Sequence, residues 1–185
     1  MYCVFKAGRI VLKMEIERKF LVKRLPAAID RFASVRMEQG YISTDPVVRI
    51  RRENDAYVLT IKGNGFLKRT EVNLPISEKD YTELSSLIKG IRIEKTRYYI
   101  DTEDIVHWDD EEPVRSVTHD EVGGGRVIEL DVFSGECEGL VIAEIEFADA
   151  EQARAYEMAE VFSEDVSFEP RYHNSYISEY GYEKN

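Results

Sequence analysis

Glu15, Glu17 and Lys19 alternate in the segment Met14-Glu15-Ile16-Glu17-Arg18-Lys19-Phe20-Leu21. In a β-strand successive side chains point to opposite faces, so these three share one face while Ile16, Arg18 and Phe20 share the other. Two carboxylates about 7 Å apart on one strand face can hold a divalent cation between them. The lysine beside them is wasted on a metal but suits a metal-bound anion such as a polyphosphate. Taken alone, a charged strand face is ordinarily just hydrated surface, so the reading depends on what the rest of the chain adds.

Six further segments repeat the pattern. Arg49 and Arg51 oppose Val48 and Ile50; Val58, Thr60 and Lys62 oppose Tyr57, Leu59 and Ile61. Arg69, Glu71 and Asn73 oppose Thr70, Val72 and Leu74, and Lys95 shares a face with Arg97. Glu129 and Asp131 oppose Leu130 and Val132; Glu144 and Glu146 oppose Ala143, Ile145 and Phe147. Period-two alternation of this kind is the main sequence signal for half-buried strands. The charges are also sorted by sign, with mainly carboxylates on the first strand and the last two and mainly Arg and Lys between them. A hydrated sheet face tends to mix signs, because exposed pairs gain little from sorting. A sorted face suits a ligand with its own polarity, in which phosphate oxygens meet guanidinium and ammonium groups and carboxylates meet a bridging metal.

The elements that would position these residues are short. Leu25 to Ala33 reads as a brief helix opened by Pro26. Val35 to Ser43 reads as a strand with Gln39 and Tyr41 on one face. Asp45-Pro46, Asn54-Asp55 and Gly63-Asn64-Gly65 read as turns. Ser77-Glu78-Lys79-Asp80 resembles a capping box and opens a helix that Gly90 ends. Asp149 caps a helix over 150 to 162. The tail from Glu169 to Tyr180 reads as a last strand or a plug. The stretch from Asp101 to Val127 reads as an extended acidic hairpin or loop, and a loop this long in a compact domain is usually functional or mobile. His107, Asp109 and Asp110 lie in it, and an acidic solvated loop explains them more simply than a metal site does. Seven or eight antiparallel strands with ionic inner faces invite closure into a barrel, with apolar faces outward under the helices and a hydrated ionic channel within.

The whole chain sets limits. At 185 residues it is expected to form one domain, and 43% hydrophobic with 33% charged residues fits a soluble globular protein. A net charge of −11 argues against bulk nucleic-acid binding. No apolar run approaches the roughly 18 residues needed to span a bilayer, and no membrane partner is expected. Residues 1–13 read as an N-terminal extension of unknown role rather than a secretory signal. Cys3 and Cys137 are too few and too far apart for a disulfide framework or zinc site, so a cytoplasmic location is the default.

Glu15-Ile16-Glu17-Arg18-Lys19 resembles the E-x-E-x-K signature of the CYTH superfamily, the triphosphate tunnel metalloenzymes. Gln39-Gly40-Tyr41, Arg49-Ile50-Arg51, Leu59-Thr60-Ile61-Lys62, Arg69-Thr70-Glu71, Glu94-Lys95-Thr96-Arg97-Tyr98, Glu129-Leu130-Asp131-Val132-Phe133 and Glu144-Ile145-Glu146-Phe147 follow in that family's order. The resemblance covers residues 14–180 and is closest to the small bacterial members. It implies a mainly β (α+β) fold: a closed eight-stranded antiparallel β-barrel, the triphosphate tunnel, with helices packed outside. It implies Mg²⁺ or Mn²⁺, one or two ions, on Glu15, Glu17, Asp131, Glu144 and Glu146, with Glu129 a weaker match. It implies phosphate binding by Lys19, Arg49, Arg51, Lys62, Arg69, Lys95 and Arg97, with Lys95 and Glu17 as the catalytic residues. Glu71 orients neighbouring cations, Tyr41 is a further candidate, and Tyr172 and Asn174 resemble a closing C-terminal segment. The implied activity is hydrolysis of a triphosphate, foremost inorganic tripolyphosphate, by a monomer or homodimer. A class IV-type adenylate cyclase and a thiamine or nucleoside triphosphatase are the alternatives.

Overall fold

The computed structural model describes residues 11–63, 68–113 and 115–183, with the backbone alone for 11–15 and 68–70. The side chains of Glu15 and Arg69, Cys3 and most of the Gly63-Asn64-Gly65 turn therefore lie outside the described residues. The strands are β1 (Val11–Val22), β2 (Ala33–Thr44), β3 (Val47–Glu53), β4 (Ala56–Lys62), β5 (Lys68–Pro75), β6 (Lys89–Asp101), β7 (Val127–Ser134), β8 (Val141–Glu146) and β9 (Phe162–Asp165). The helices are α1 (Glu78–Ser85), α2 (Ala150–Ala155) and α3 (Asn174–Tyr180). Each of the seven alternating segments lies on a strand. Alternation puts β-branched and aromatic side chains on one face, where they pack, and leaves charges to face one another across the other.

One antiparallel sheet runs in the order β5-β4-β3-β2-β6-β7-β8-β1-β9, and β5 pairs again with β1. The carbonyl of Ile16 accepts the N–H of Phe147, 2.7 Å away, beside β8, while Ile16 is the register partner of Lys68 on β5. The sheet thus curls until its first and eighth strands in that order meet. The expected closed eight-stranded barrel is corrected: among the described residues nine strands form the sheet, and it ends on an edge. The 12-residue β1 outruns the eight-residue β5 and offers the remaining edge from Phe20 onward to β9, which is paired on one side only.

The outer face carries the main core. Ile16, Phe20, Ile100, Ile128, Leu130 and Ile145 are buried beneath α2, β9 and the segment after Val22, and Trp108 joins them. Arg18, on the same face, donates to the carbonyls of Ala153 and Tyr156 at 2.9 and 2.6 Å and pairs with Asp165. It thereby satisfies the C-terminal carbonyls of α2, which a short helix leaves exposed.

The inner face differs from the expected ionic channel. It is ionic along the middle of the strands only. At one end Tyr41, Ile93, Phe133 and Ile142 meet Val166, Tyr172 and Ile177 in a second apolar cluster. A fully ionic interior would leave like charges buried and desolvated, and filling one end with apolar groups avoids that cost.

The helices are shorter than their sequence patterns suggest. The capping box at Ser77 and Asp80 forms, and the helix it opens ends at Ser85. Asp149 caps α2, which stops at Ala155, after which the chain turns back into β9. The Leu25 to Ala33 helix reduces to a 3-10 turn, Ile29–Arg31. The tail forms a 3-10 turn, Pro170–Tyr172, and then α3, rather than a strand. Gly90 belongs to β6 with a φ of 72°, and a Cβ there would sit 1.9 Å from the Ser178 carbonyl oxygen, so only glycine lets α3 approach. The 101–127 stretch contains two 3-10 turns, Thr102–His107 and His119–Glu121, and buries Trp108 and Val117.

Candidate active site

Strand register decides which charges meet. Glu17 stands opposite Glu146, Lys19 opposite Glu144, and Glu129 opposite Glu144, so one acidic wall forms from β1, β8 and β7. Arg97 stands opposite Asp131 on β7. Arg49 and Thr60 pair across β3 and β4, and Lys62 and Glu71 across β4 and β5. These side chains surround a cavity of about 600 Å³ lined by Glu17, Lys19, Arg49, Arg51, Lys62, Glu71, Arg97, Glu129, Glu144 and Glu146. Tyr41 and Asn174 line it too, with Glu53, Asn73, His119, Asp120 and His173. Lys95, Asp131 and Tyr172 are buried outside that lining; Asp131 has no exposed surface.

The acidic wall is knitted by cations. Arg97 bonds Asp131 through Nε and Nη2 at 2.6 and 2.7 Å, Glu129 at 2.8 Å and Glu144 at 2.6 Å. Lys95 is turned to the same Asp131 carboxylate. Lys19 bridges Glu17, at 2.9 Å, and Glu144. Burial opposes the charged form of Glu144, but Lys19, Arg97 and Lys95 overcome it and hold the carboxyl well below its ordinary range. Burial likewise works against the Arg97 guanidinium, yet Asp131, Glu129 and Glu144 leave it more firmly protonated than a free arginine. Lys95 goes the other way. Burial lowers it to about 8, with Asp131 offsetting part of the effect and Arg97 adding to it.

The basic wall is looser. Arg51 pairs with Glu53 at 2.5 Å, and burial with repulsion from Arg49 and Arg97 pulls its pKa below the usual arginine value. Arg49 Nη2 donates to the hydroxyl of Thr60 at 3.3 Å, which donates in turn to Asn73 at 2.7 Å. Lys62 holds Glu71 at 2.5 Å. Burial raises the Glu71 carboxyl, but Lys62 and Arg49 bring it far below the ordinary glutamate value.

Several lining residues extend the sequence reading. Glu53 falls two places after Arg51 on the same strand face, so period two alone places it there. Asn73 was already on the face of Glu71. His119 and Asp120 come from the acidic stretch, where no periodicity exists to point at them. Of the acidic residues weighed there, Asp109 is held by Arg24 and Asp110 meets His107 at 2.8 Å, all of them exposed.

Among the described residues seven carboxylates line the cavity, counting Glu53 and Asp120, against the five cations Lys19, Arg49, Arg51, Lys62 and Arg97. A polyanion facing those residues meets a net negative lining, which is unfavourable unless divalent cations enter with it. Carboxylates are the oxygen donors that Mg²⁺, Mn²⁺ or Ca²⁺ take. Glu17, Glu144 and Glu146 fit that need by chemistry and register. Among the described residues no three such side chains are already drawn together around one point, since Lys19 stands between Glu17 and Glu144.

The CYTH domain family matches residues 13–164 of the chain. A protein of Nitrosomonas europaea named inorganic triphosphatase is 32% identical over 167 residues, covering 89% of this chain and 96% of the relative. An inorganic triphosphatase of Acetivibrio thermocellus is 34% identical over 165 residues, covering 87% and 90%. A crystal structure of an inorganic triphosphatase superposes with a TM-score of 0.60 at 30% identity, covering 89% of this chain and 93% of that one.

Proposed function

The chain belongs to the CYTH domain family, and from that premise we propose that it is a metal-dependent hydrolase of inorganic tripolyphosphate. The observation that carries the reading is the convergence of Arg49, Arg51, Lys62, Arg97 and Lys19 with Glu17, Glu144 and Glu146 on one cavity. The relatives named inorganic triphosphatase, matched over most of their length, support the choice of substrate.

In this reading Arg49 and Arg51 take phosphate oxygens first: they stand on the same face of β3, and burial with repulsion from Arg49 and Arg97 already disfavours the Arg51 charge. Arg51 gives up part of its hold on Glu53, and charge-assisted bonds to phosphate replace it. Arg97 and Lys19 face the same anion from the acidic wall. Glu17, Glu144 and Glu146, with Glu15 on the same strand face, are the residues that would hold Mg²⁺ or Mn²⁺. The ion, when bound, supplies electrophilic stabilisation of the phosphoryl oxygens. Glu71 orients Lys62, and Asp131 with Lys95 braces Arg97 from behind the wall. Lys95 is therefore a positioning residue here, not a group that touches the substrate. The reaction consumes water and splits triphosphate to diphosphate and orthophosphate, with the basic wall neutralising the charge that develops on the departing oxygen. We expect the enzyme in the cytoplasm; among the described residues no helix is long and apolar enough to cross a membrane.

The test is a substrate profile. Phosphate release from tripolyphosphate, ATP and thiamine triphosphate is compared with Mg²⁺, with Mn²⁺ and with a chelator, and cyclic AMP is assayed alongside. Tripolyphosphate should give the highest kcat/KM, and chelation should abolish turnover reversibly. Cyclic AMP formed from ATP in place of phosphate release would overturn the reading, as would turnover that survives the chelator.

A further inference from the structure

The 3-10 turn His119–Glu121 brings residues of the long 101–127 insert to the cavity. The turn is anchored on both sides. Before it, Ser116 bridges to Ile100, and Val117, fully buried, packs with Tyr99 and Val127. Within it, Thr118 and Glu121 form a capping box, and Arg115 binds Glu121 at 2.9 Å and Asp101 at 3.5 Å. After it, the N–H of Gly125 donates to the Glu146 carbonyl at 2.7 Å, and Gln152 Nε2 donates to the Gly124 carbonyl at 2.9 Å. Gly125 has a φ of 74°, and a Cβ there would crowd the Phe147 ring at 3.1 Å, so the close pass beside the acidic wall depends on glycine.

The turn presents an exposed imidazole and an exposed carboxylate. The His119 ring stands 5.8 Å from the Tyr99 ring, with Nδ1 4.0 Å from Glu129. Asp120 lines the same cavity. Among the described residues, every lysine and arginine that lines the cavity comes from β1, β3, β4 or β6, and none from the turn. At the far end the cavity stops against the apolar cluster around Tyr172 and Ile177. Among the described residues, a phosphate chain that fills the basic wall and continues toward the turn meets the carboxylates of Asp120 and Glu129, the second already paired with Arg97.

We propose that the His119–Glu121 turn is a fixed end wall that restricts the site to a short phosphate chain, with the Asp120 carboxylate rejecting an additional phosphoryl group. This inference rests on the cavity being the triphosphate site proposed above, and it goes further by assigning chain-length selection to a segment that supplies none of the phosphate-binding cations. Repulsion between two anions a few ångströms apart is worth about a factor of five in affinity even at the dielectric of bulk water, and more in a partly solvated cavity.

The experiment is calorimetric titration of the full chain with tripolyphosphate and with linear tetrapolyphosphate, in the presence of Ca²⁺ to limit turnover. It compares the wild type, Asp120→Lys and Glu111→Lys. Glu111 lies in the same insert, is exposed and does not line the cavity. The wild type should bind the shorter chain more tightly. Asp120→Lys should shift the ratio of the two dissociation constants toward the longer chain by at least about fivefold, and Glu111→Lys should shift it by less than about twofold. An unchanged ratio in Asp120→Lys overturns the end wall. Equal shifts in the two variants also overturn it, because the effect then comes from the general field of the insert. Selective binding without phosphate release in Mg²⁺ or Mn²⁺ would instead sink the hydrolase reading while upholding the end wall.

Discussion

On the wall built by β1, β6, β7 and β8, Arg97 is held by Glu129, Asp131 and Glu144; on the wall built by β3, β4 and β5, Arg51 has Glu53, and Arg49 donates to the uncharged Thr60. Both sets of cations are buried, yet their protonation equilibria move in opposite directions. Arg97 is driven up by its carboxylates, once they outweigh burial, and Arg51 is drawn down by burial and by its cationic neighbours. The first wall is assembled before any ligand arrives. The second carries positive charge that an anion would relieve. Arg49 and Arg51 repel each other even with Glu53 and Glu71 beside them, and a charged group perturbed in this way is characteristic of binding sites. The difference separates residues that build the cavity from residues that use it.

The largest test of that division is Arg97→Met. It leaves the carboxylates of Asp131, Glu129 and Glu144 facing one another in a buried site, and breaking such a network costs about 3–5 kcal/mol. Denaturant unfolding should show that loss; a variant as stable as the wild type would show that Arg97 does not brace the wall. Arg51→Ala removes a cation that pairs with the less buried Glu53. It should cost less stability than Arg97→Met, because burial and Arg49 already disfavour its charge, but lower kcat/KM for tripolyphosphate about tenfold or more, since a desolvated charged contact contributes about 1.5–3 kcal/mol. The reverse outcome, a melted protein with normal specific activity, would make the two walls alike.

Acid should weaken both walls through Glu71 and Glu144. Each carboxyl titrates below its ordinary value of 4.5 in the folded chain. The folded state therefore binds fewer protons than the unfolded state near and below that pH. Its stabilisation is complete above the unfolded value and lost as pH falls beneath it. Melting temperature should be flat near neutrality and decline below about pH 4.5, and Glu71→Gln should flatten part of the decline; an unaltered slope would remove Glu71 from the network. The smallest effect expected is at Ser77, the N-cap of α1 outside both walls. Ser77→Ala should cost about 1 kcal/mol and leave kcat/KM unchanged.

The walls were legible in the sequence because strand alternation is a local property. Glu17, Lys19, Arg49, Arg51, Lys62, Arg97, Glu144 and Glu146 announce their face by their neighbours. Asp131 obeys the same alternation but ends behind the wall, since the length and fork of Arg97 determine which carboxylates are enclosed, and spacing carries no information on that. The strand number was not legible. Phe162–Asp165 follows a pattern of good helix formers, and only the spare edge of β1 draws it into the sheet. The turn at His119 and Asp120 was equally hidden, because its position depends on Arg115, Glu121 and a glycine run and has no period of its own.

A crystal structure of the chain grown with tripolyphosphate and Mg²⁺ tests the central claim most directly. The account predicts phosphate oxygens within hydrogen-bond distance of Arg49 and Arg51, and the metal between those oxygens and Glu17, Glu144 or Glu146. Phosphate density on an outer surface, or within the cavity but bound to neither arginine, would contradict it.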